Sequence, residues 1–431
     1  MPVTAKIAGE ILAEIRSKTE GFEERLEPRR SSDEPLPPAV PRDDAGGLRV
    51  AERRELLRQR GHALSVVTGE RTVVPDDGFR GNVENFVGLV QVPLGVVGPL
   101  RINGLHAHGD FYLPLATTEG ALVASHARGV AAISRAGGAR AACLMERVSR
   151  APLFHFKNLV EAGHFVAFAL DTLPHLREVA AQTSEHGRLV DLRIHWDGNL
   201  VYLICDYTTG AAAGQNMVTL ATERVARHLA EAAPDKPDFW TVESNLSGDK
   251  KASIQAFQYV RGKMVTAEVE LPRDVVEQDL RTTPEAMERY WKAAFVAGAH
   301  AGTIGGQGQF ANGLAALFLA CGQDVACVAE AAVGTTRLEL TEAGDLYASV
   351  YLPNLICGTV GGGTGLPTAR ECLALLECAG QDSAAKFAEI AACLVLAGEL
   401  SLSAAITAGH FSSAHATLGR KGPPPTPPGR A

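Results

Sequence analysis

Four titratable positions in this 431-residue chain are set among apolar or small neighbours: Glu119, Lys250 flanked by Asp249 and Lys251, Asp324, and His415. A carboxylic acid kept neutral by burial, a lysine beside an aspartate and a histidine that titrates near neutrality together make an acid–base set. Each residue also has a purely structural role open to it. Glu119 suits a helix N-terminus, Asp-Lys-Lys a solvated turn, Asp324 a helix cap and His415 the surface near the C-terminus.

Three glycine clusters accompany them, TGAAAGQNM (209–217), IGGQGQ (304–309) and GTVGGGTG (358–365). Glycine lets the backbone approach a phosphate or an acyl-coenzyme A closely, and it equally well makes plain turns. None spells G-x-G-x-x-G between a strand and a helix, and the chain has no phosphate-loop, H-E-x-x-H or G-x-S-x-G sequence. The 8 cysteines are scattered without C-x-x-C or zinc-ligand spacing. They read as buried free thiols in a reducing cytoplasm, and no metal site is expected.

The elements that must position these groups follow from periodicity. Residues 115–138 predict a helix capped by Thr117 or Thr118, with Glu119 in its first turn and Gly137–Gly138 ending it. Between Phe165 and Tyr207 the runs FVAFAL, LVDLRIHWDG and LVYLICDY read as strands, with a turn at Asp197–Gly198. Residues 213–233 return to a helical period. The apolar stretch 390–409 carries Glu399, Ser401, Ser403 and Thr407, which suits a buried alanine-rich core helix better than a membrane span. Residues 27–47, rich in proline and charge, read as a linker, a short helix is expected over 48–60, and 419–431 reads as a frayed tail.

Hydrophobic residues make up 46% of the chain and charged residues 21%, as expected of a folded globular protein. With 41 Lys plus Arg against 49 Asp plus Glu, the net charge of −8 argues against a nucleic-acid-coating surface. Partners are expected to be small molecules or further copies of the chain. No period of 20 to 50 residues marks a solenoid. The N-terminus reads as an amphipathic helix without the apolar run of a secretory signal, so secretion is not expected. A strand-rich unit inside a helix-rich chain predicts an α+β fold with a small domain inserted in a larger one.

The string ENFVGLVQVPLGVVGPL (84–100) followed by LPLATTEGALVAS (113–125) resembles the signature of HMG-CoA reductases. The resemblance continues in order through DKKAS (249–253), AGTIGG (301–306), ACGQDVA (320–326), GTVGGGTGLP (358–367) and AGELSLSAA with AGH (397–410), and covers about residues 80–415. Its details are closer to the eukaryotic and archaeal type than to the divergent bacterial type. It implies a large, mainly helical substrate- and coenzyme-A-binding domain (49–151 and 243–415). Into this a small ferredoxin-like NADP(H)-binding domain (152–242) is inserted, with an N-terminal helix and proline-rich linker (1–48) before it and a flexible tail (416–431) after it.

The resemblance also implies roles: Glu119, Lys250, Asp324 and His415 as catalytic residues, and Arg150, Asp249, Lys251 and Asn312 as acyl contacts. Glu84 and Asn85 fall in the coenzyme A region, and Gly210, Gly214, Gln215 and Asn216 in the cofactor turn. The implied reaction is the four-electron reduction of HMG-CoA to mevalonate and coenzyme A by two NADPH, with NADH left open. A cytoplasmic homodimer or tetramer, with active sites between subunits and no membrane or nucleic-acid partner, goes with it.

Departures from the family pattern are specific. The cofactor turn D-A-M-G-M-N is here Ala211-Ala212-Ala213-Gly214-Gln215-Asn216, without its aspartate. Gln309 replaces a histidine in a loop one residue short, Glu243 stands where the family has a serine, and Ala414 precedes His415. Gln309 and Glu243 leave open a reductase of a related acyl-CoA in a specialised pathway, and Ala211 a non-catalytic acyl-CoA-binding paralogue.

Overall fold

The computed structural model describes residues 5–18, 21–43, 48–74 and 78–410; His415 and the tail lie outside the described residues. Helices α1 (Ala5–Lys18), α2 (Phe22–Leu26) and α3 (Val50–Gln59) precede β1 (Leu94–Gly104), β2 (His108–Ala116), α4 (Leu122–Arg135) and β3 (Ala139–Arg150). There follow β4 (Leu153–His155), α5 (Leu159–Asp171), α6 (Leu173–Ala181), β5 (Arg188–Asp197), β6 (Leu200–Thr208), α7 (Gln215–Ala232) and β7 (Phe239–Thr241). The chain then forms β8 (Gly262–Leu271), α8 (Arg273–Val275), α9 (Pro284–His300), α10 (Phe310–Ala320), α11 (Val328–Ala331), β9 (Thr335–Leu340), β10 (Leu346–Leu355), α12 (Pro367–Leu375) and α13 (Ala384–Thr407).

Among the described residues ten strands form one continuous sheet, ordered β7-β4-β6-β3-β8-β10-β9, with β1 beside β3, β2 beside β1, and β5 beside β6. All pairings are antiparallel except the short β1–β3 contact. The twelve-residue strand β3 joins the two halves. Its residues 140–147 pair with β8, and Val148–Arg150 pair with β6. Residues 153–241 run strand, helix pair, strand, strand, helix, strand, in the spatial order β5-β6-β4-β7. The larger part is therefore not mainly helical: LGVVGPLRING, KMVTAEVEL and LYASVYLPNL are strands, largely buried, whose apolar side chains join the core.

Helix α13 lies buried against that sheet, with Phe387, Ile390, Leu394, Leu396 and Leu400 inaccessible to solvent, as expected for a core helix. It crosses α4 so closely that a Cβ on Gly129 would stand 1.9 Å from the Ala397 carbonyl oxygen, so only glycine fits there. All eight cysteines are free thiols, seven of them buried.

Three local expectations are corrected. Strand β2 continues to Ala116, and α4 starts only at Leu122, behind a left-handed Ala121 that makes no side-chain cap; neither Thr117 nor Thr118 caps it. The FVAFAL run belongs to α5, capped by Asn158, whose side chain accepts from the amides of Val160 and Glu161. The proline-rich stretch is a strap rather than a loose linker. Buried Arg101 pairs with Asp110 at 2.8 Å and donates to the carbonyls of Arg29 at 2.8 Å and Glu34 at 2.7 Å. Tyr112 donates to the Pro38 carbonyl at 2.6 Å, and the Val40 amide to Gly98 at 3.0 Å. Proline keeps this backbone extended, and its unpaired carbonyls satisfy a buried guanidinium.

Candidate active site

Strand β3 ends at Arg150, at the point where the sheet passes from its larger to its smaller half. The arginine is 8% exposed. Its Nη1 donates to Asp249 Oδ2 at 2.6 Å and lies 3.5 Å from Glu243 Oε2, while Nε donates to Thr219 of α7 at 2.8 Å. Burial acts to raise the Asp249 carboxyl, but Arg261 and Arg150 outweigh it and hold the group below the usual carboxylate range.

Next in the chain, Lys250 turns its backbone into the left-handed region at φ 56°, a conformation that costs a residue with a Cβ about 1–2 kcal/mol. The turn swings Nζ to 2.8 Å from Asp324 Oδ2, both side chains being 42% exposed. The hydrogen bond to Asp324 raises the Lys250 pKa, and the ammonium in turn holds Asp324 below its ordinary value against the effect of burial. Asp324 also accepts from the Ala326 amide at 3.1 Å, so the cap role and the ion pair coexist. Lys251 is exposed, its Nζ donating to the Asp249 carbonyl at 2.8 Å.

The cofactor turn reaches the same point. Gly214, at φ 77°, caps the N-terminus of α7, and a Cβ there would stand 2.2 Å from Thr209 Cγ2. Gln215 follows, with Nε2 3.4 Å from Asp324 Oδ2 and 3.1 Å from Cys327 Sγ; Asn216 is exposed. Ala211 leaves the turn intact, because its carbonyl accepts the Thr359 amide at 2.8 Å and Ala212 bridges Val360. A Cβ on Gly210, Gly361 or Gly362 would meet nothing within 4 Å, so this double glycine wall is open beside the α7 N-terminus. A positive helix end beside an open glycine surface fits the phosphates of a dinucleotide.

Further residues hold these loops. Glu146 of β3 accepts from the Gly210 amide at 2.9 Å and from Thr209 Oγ1 at 3.0 Å, with buried Lys263 3.7 Å from its other oxygen. Gln323 exchanges two 2.9 Å hydrogen bonds with Gly358 and so fixes the GTVGGG loop next to Asp324. Glu399, 3% exposed, accepts the amides of Gly308 and Gln309. Gln309 donates to the Gly398 carbonyl, and its Oε1 faces Asn312 Nδ2 at 3.4 Å. Glu399 carried a sequence signal as a carboxylate inside an apolar helix, and Gln323 and Gln309 lie in recognised strings, whereas Glu146 and Lys263 carried none.

Other expected groups lie apart. Glu119 sits on the β2–α4 loop, exposed, its amide donating to Thr117 Oγ1 at 3.0 Å, and its carboxylate engages no partner among the described residues. It is not buried, and within one chain the ion pair of Lys250 is with Asp324 rather than with Glu119. Glu84 and Asn85 are exposed too, followed by Val87 at 100%, Leu89 at 55% and Val90 at 91% exposure. Among the described residues no cluster of metal-ligating side chains occurs.

Residues 49–420 match the family model described as Hydroxymethylglutaryl-coenzyme A reductase. The 3-hydroxy-3-methylglutaryl-coenzyme A reductase of Pyrococcus abyssi is 44% identical over 376 residues, covering 85% of this chain and 91% of that protein. The Methanothermobacter thermautotrophicus protein of the same name is 42% identical, over 88% of this chain and 95% of its own length. Among solved structures, the class II reductase from Streptococcus pneumoniae bound to NADPH superimposes with a TM-score of 0.68 at 20% identity, covering 83% of this chain and 97% of that one.

Proposed function

The chain belongs to the hydroxymethylglutaryl-coenzyme A reductase family, and on that premise we propose that it reduces (S)-HMG-CoA to mevalonate and free coenzyme A with two NADPH, at the junction of Lys250, Asp324 and Gln215. The observation that carries this reading is the 2.8 Å Lys250–Asp324 pair with the cofactor turn against the same carboxylate.

NADPH, when bound, supplies the hydride for each of the two reductions. Lys250 places an ammonium where negative charge grows on the acyl oxygen, and Asp324 keeps that ammonium charged and aimed. Glu119 is the proton donor as the aldehyde becomes the alcohol, and His415 protonates the departing coenzyme A thiolate. Arg150, with Asp249, Lys251 and Asn312, orients the acyl carboxylate, for which a planar guanidinium is suited. Glu84 and Asn85 serve coenzyme A. Gly210, Gly214, Gln215 and Asn216 hold the dinucleotide, and the β4–β7 unit, about residues 152–242, is a ferredoxin-like cofactor domain, a reading supported by its βαββαβ order.

Because Glu119 is solvent-exposed in one chain, a second subunit brings it to Lys250. The exposed apolar run Val87, Leu89, Val90 supports such a homo-oligomer, since isolated chains rarely leave this much contiguous apolar surface uncovered. The test is loss of reduced-nicotinamide absorbance on mixing purified protein with HMG-CoA, run with NADPH and NADH and with product identification. Two cofactor equivalents per mevalonate and one coenzyme A are expected; no oxidation with either cofactor would refute the reading.

A further inference from the structure

Beneath the Asp249–Lys250 turn lies a buried ion pair to which no motif points. Glu330 on α11 is 1% exposed, and both its oxygens clamp Arg261 Nη1, at 2.6 and 2.7 Å. The same Oε1 accepts the backbone amide of Lys250 at 3.1 Å. Arg261 is 2% exposed, anchored by its own amide on Asn354 Oδ1 at 2.8 Å, and its Nη2 meets Asp249 Oδ1 at 2.8 Å. Charges thus alternate along one chain of contacts, Glu330, Arg261, Asp249, Arg150, and the left-handed Lys250 amide hangs from its first member.

Neither Glu330 nor Arg261 opens to solvent, so neither touches substrate. Their geometric effect is on the backbone. Asp249 is fixed from below by Arg261 and from the side by Arg150, and the next amide is fixed by Glu330. With both ends of the Asp249–Lys250 peptide tied, the lysine Cα has one orientation from which Nζ reaches Asp324. Without the Glu330 acceptor, the strained φ has no compensating hydrogen bond and relaxes to negative values, turning the side chain away.

We propose that the buried Glu330–Arg261 pair is a positioning device for the reduction, holding the Asp249–Lys250 turn left-handed so that the Lys250 ammonium is presented to Asp324 and the acyl oxygen. This rests on the reading of Lys250 given above. Glu330→Met takes away the acceptor of the Lys250 amide and lowers kcat about 30- to 100-fold, the scale of a misplaced catalytic group, while KM for NADPH stays within about twofold because the 210–216 turn is untouched. Glu330→Met leaves Arg261 buried with Asp249 as its remaining counter-charge, which endangers folding. The double variant Arg261→Met with Glu330→Met removes both charges at similar volume and keeps the fold. Glu330→Asp, which retains the charge, recovers part of the lost kcat.

A purely structural role would lower thermal stability and leave Lys250 as it is. The discriminating readout is therefore the acylation rate of Lys250 by an amine-selective reagent, followed by peptide mass spectrometry on the folded protein. Freed from Asp324, the amine should react roughly three times faster or more in the double variant. Wild-type kcat, or unchanged Lys250 labelling, in the folded double variant overturns the positioning role alone. Full turnover in Lys250→Ala overturns the reading of the site and the proposal with it.

Discussion

Gln215, the first residue of α7, points its amide nitrogen at Asp324, 3.4 Å from the oxygen that pairs with Lys250. The 210–216 turn and the Lys–Asp pair thus share one carboxylate. The family turn carries methionine there, which cannot donate a hydrogen bond. Gln215→Met should lower kcat/KM for NADPH a few-fold, since a long, half-exposed hydrogen bond to a charge is worth about 1 kcal/mol. Steady-state kinetics with NADPH varied would show it; identical constants would mean the contact carries no coupling.

Lys250→Ala should reduce kcat about 10²- to 10³-fold, the usual loss when a donor to a developing oxyanion is removed. The Lys250–Asp324 pair is two-fifths exposed, so its contribution to folding is within about 1 kcal/mol. A melting temperature close to wild type together with collapsed turnover is the expected combination, read by calorimetry and the nicotinamide assay.

Glu243 stands 3.5 Å from Arg150, and on the proposed role of Arg150 it competes with an incoming acyl carboxylate for the guanidinium. Replacing it with serine removes that repulsion. Glu243→Ser should lower KM for HMG-CoA several-fold, and more at low than at high ionic strength, since salt screens partly exposed charges. An increase in KM would instead make Glu243 a direct substrate ligand.

Glu389 of α13 is buried among the amides of His106, Ala107 and Cys143, which donate to it at 2.8, 2.7 and 3.0 Å. Burial pushes its carboxyl up to about 7 from the ordinary 4.5, although those amides pull the other way. Below pH 4.5 the group is protonated in both folded and unfolded chains. Between about 4.5 and 7 the folded chain retains a proton the unfolded one has lost, so stability falls as pH rises through this window and levels off above it. The full effect is about 3 kcal/mol at about 1.4 kcal/mol per pKa unit. Urea unfolding of wild type and Glu389→Gln at pH 5 and 7.5 should show a smaller pH difference in the variant.

How far the site was legible varied with the distance over which its contacts form. Lys250, Asp249, Asp324 and the 209–217 glycine cluster stand out in short strings, because each string has a local backbone requirement that writes itself into glycine and charge spacing; Arg150 and the cofactor role of the 210–216 turn are named only through the family resemblance. Gln323, Arg261 and Glu330 support those loops from buried positions and Glu146 from a partly buried one, and only Gln323 lies in a recognised string. A single carboxylate in a strand or a four-residue helix has no local signature. The segment 27–43 misled for a related reason: few apolar residues and many prolines describe a linker equally well as a strap whose backbone carbonyls feed Arg101.

By itself the sequence determined the family, the order of the motifs, the reaction class they serve, the α7 and α13 helices and the β5–β6 hairpin, since these depend on residue identity and on neighbours a few positions away. Only the tertiary structure decided that β3 runs through both halves of one sheet, that Lys250 hangs left-handed from Glu330 across 80 residues of chain, and that Glu119 stays exposed within one subunit. Such contacts join residues far apart in the chain. Their energy appears only when burial removes water from both partners, and no local pattern records which distant partner each buried charge will meet.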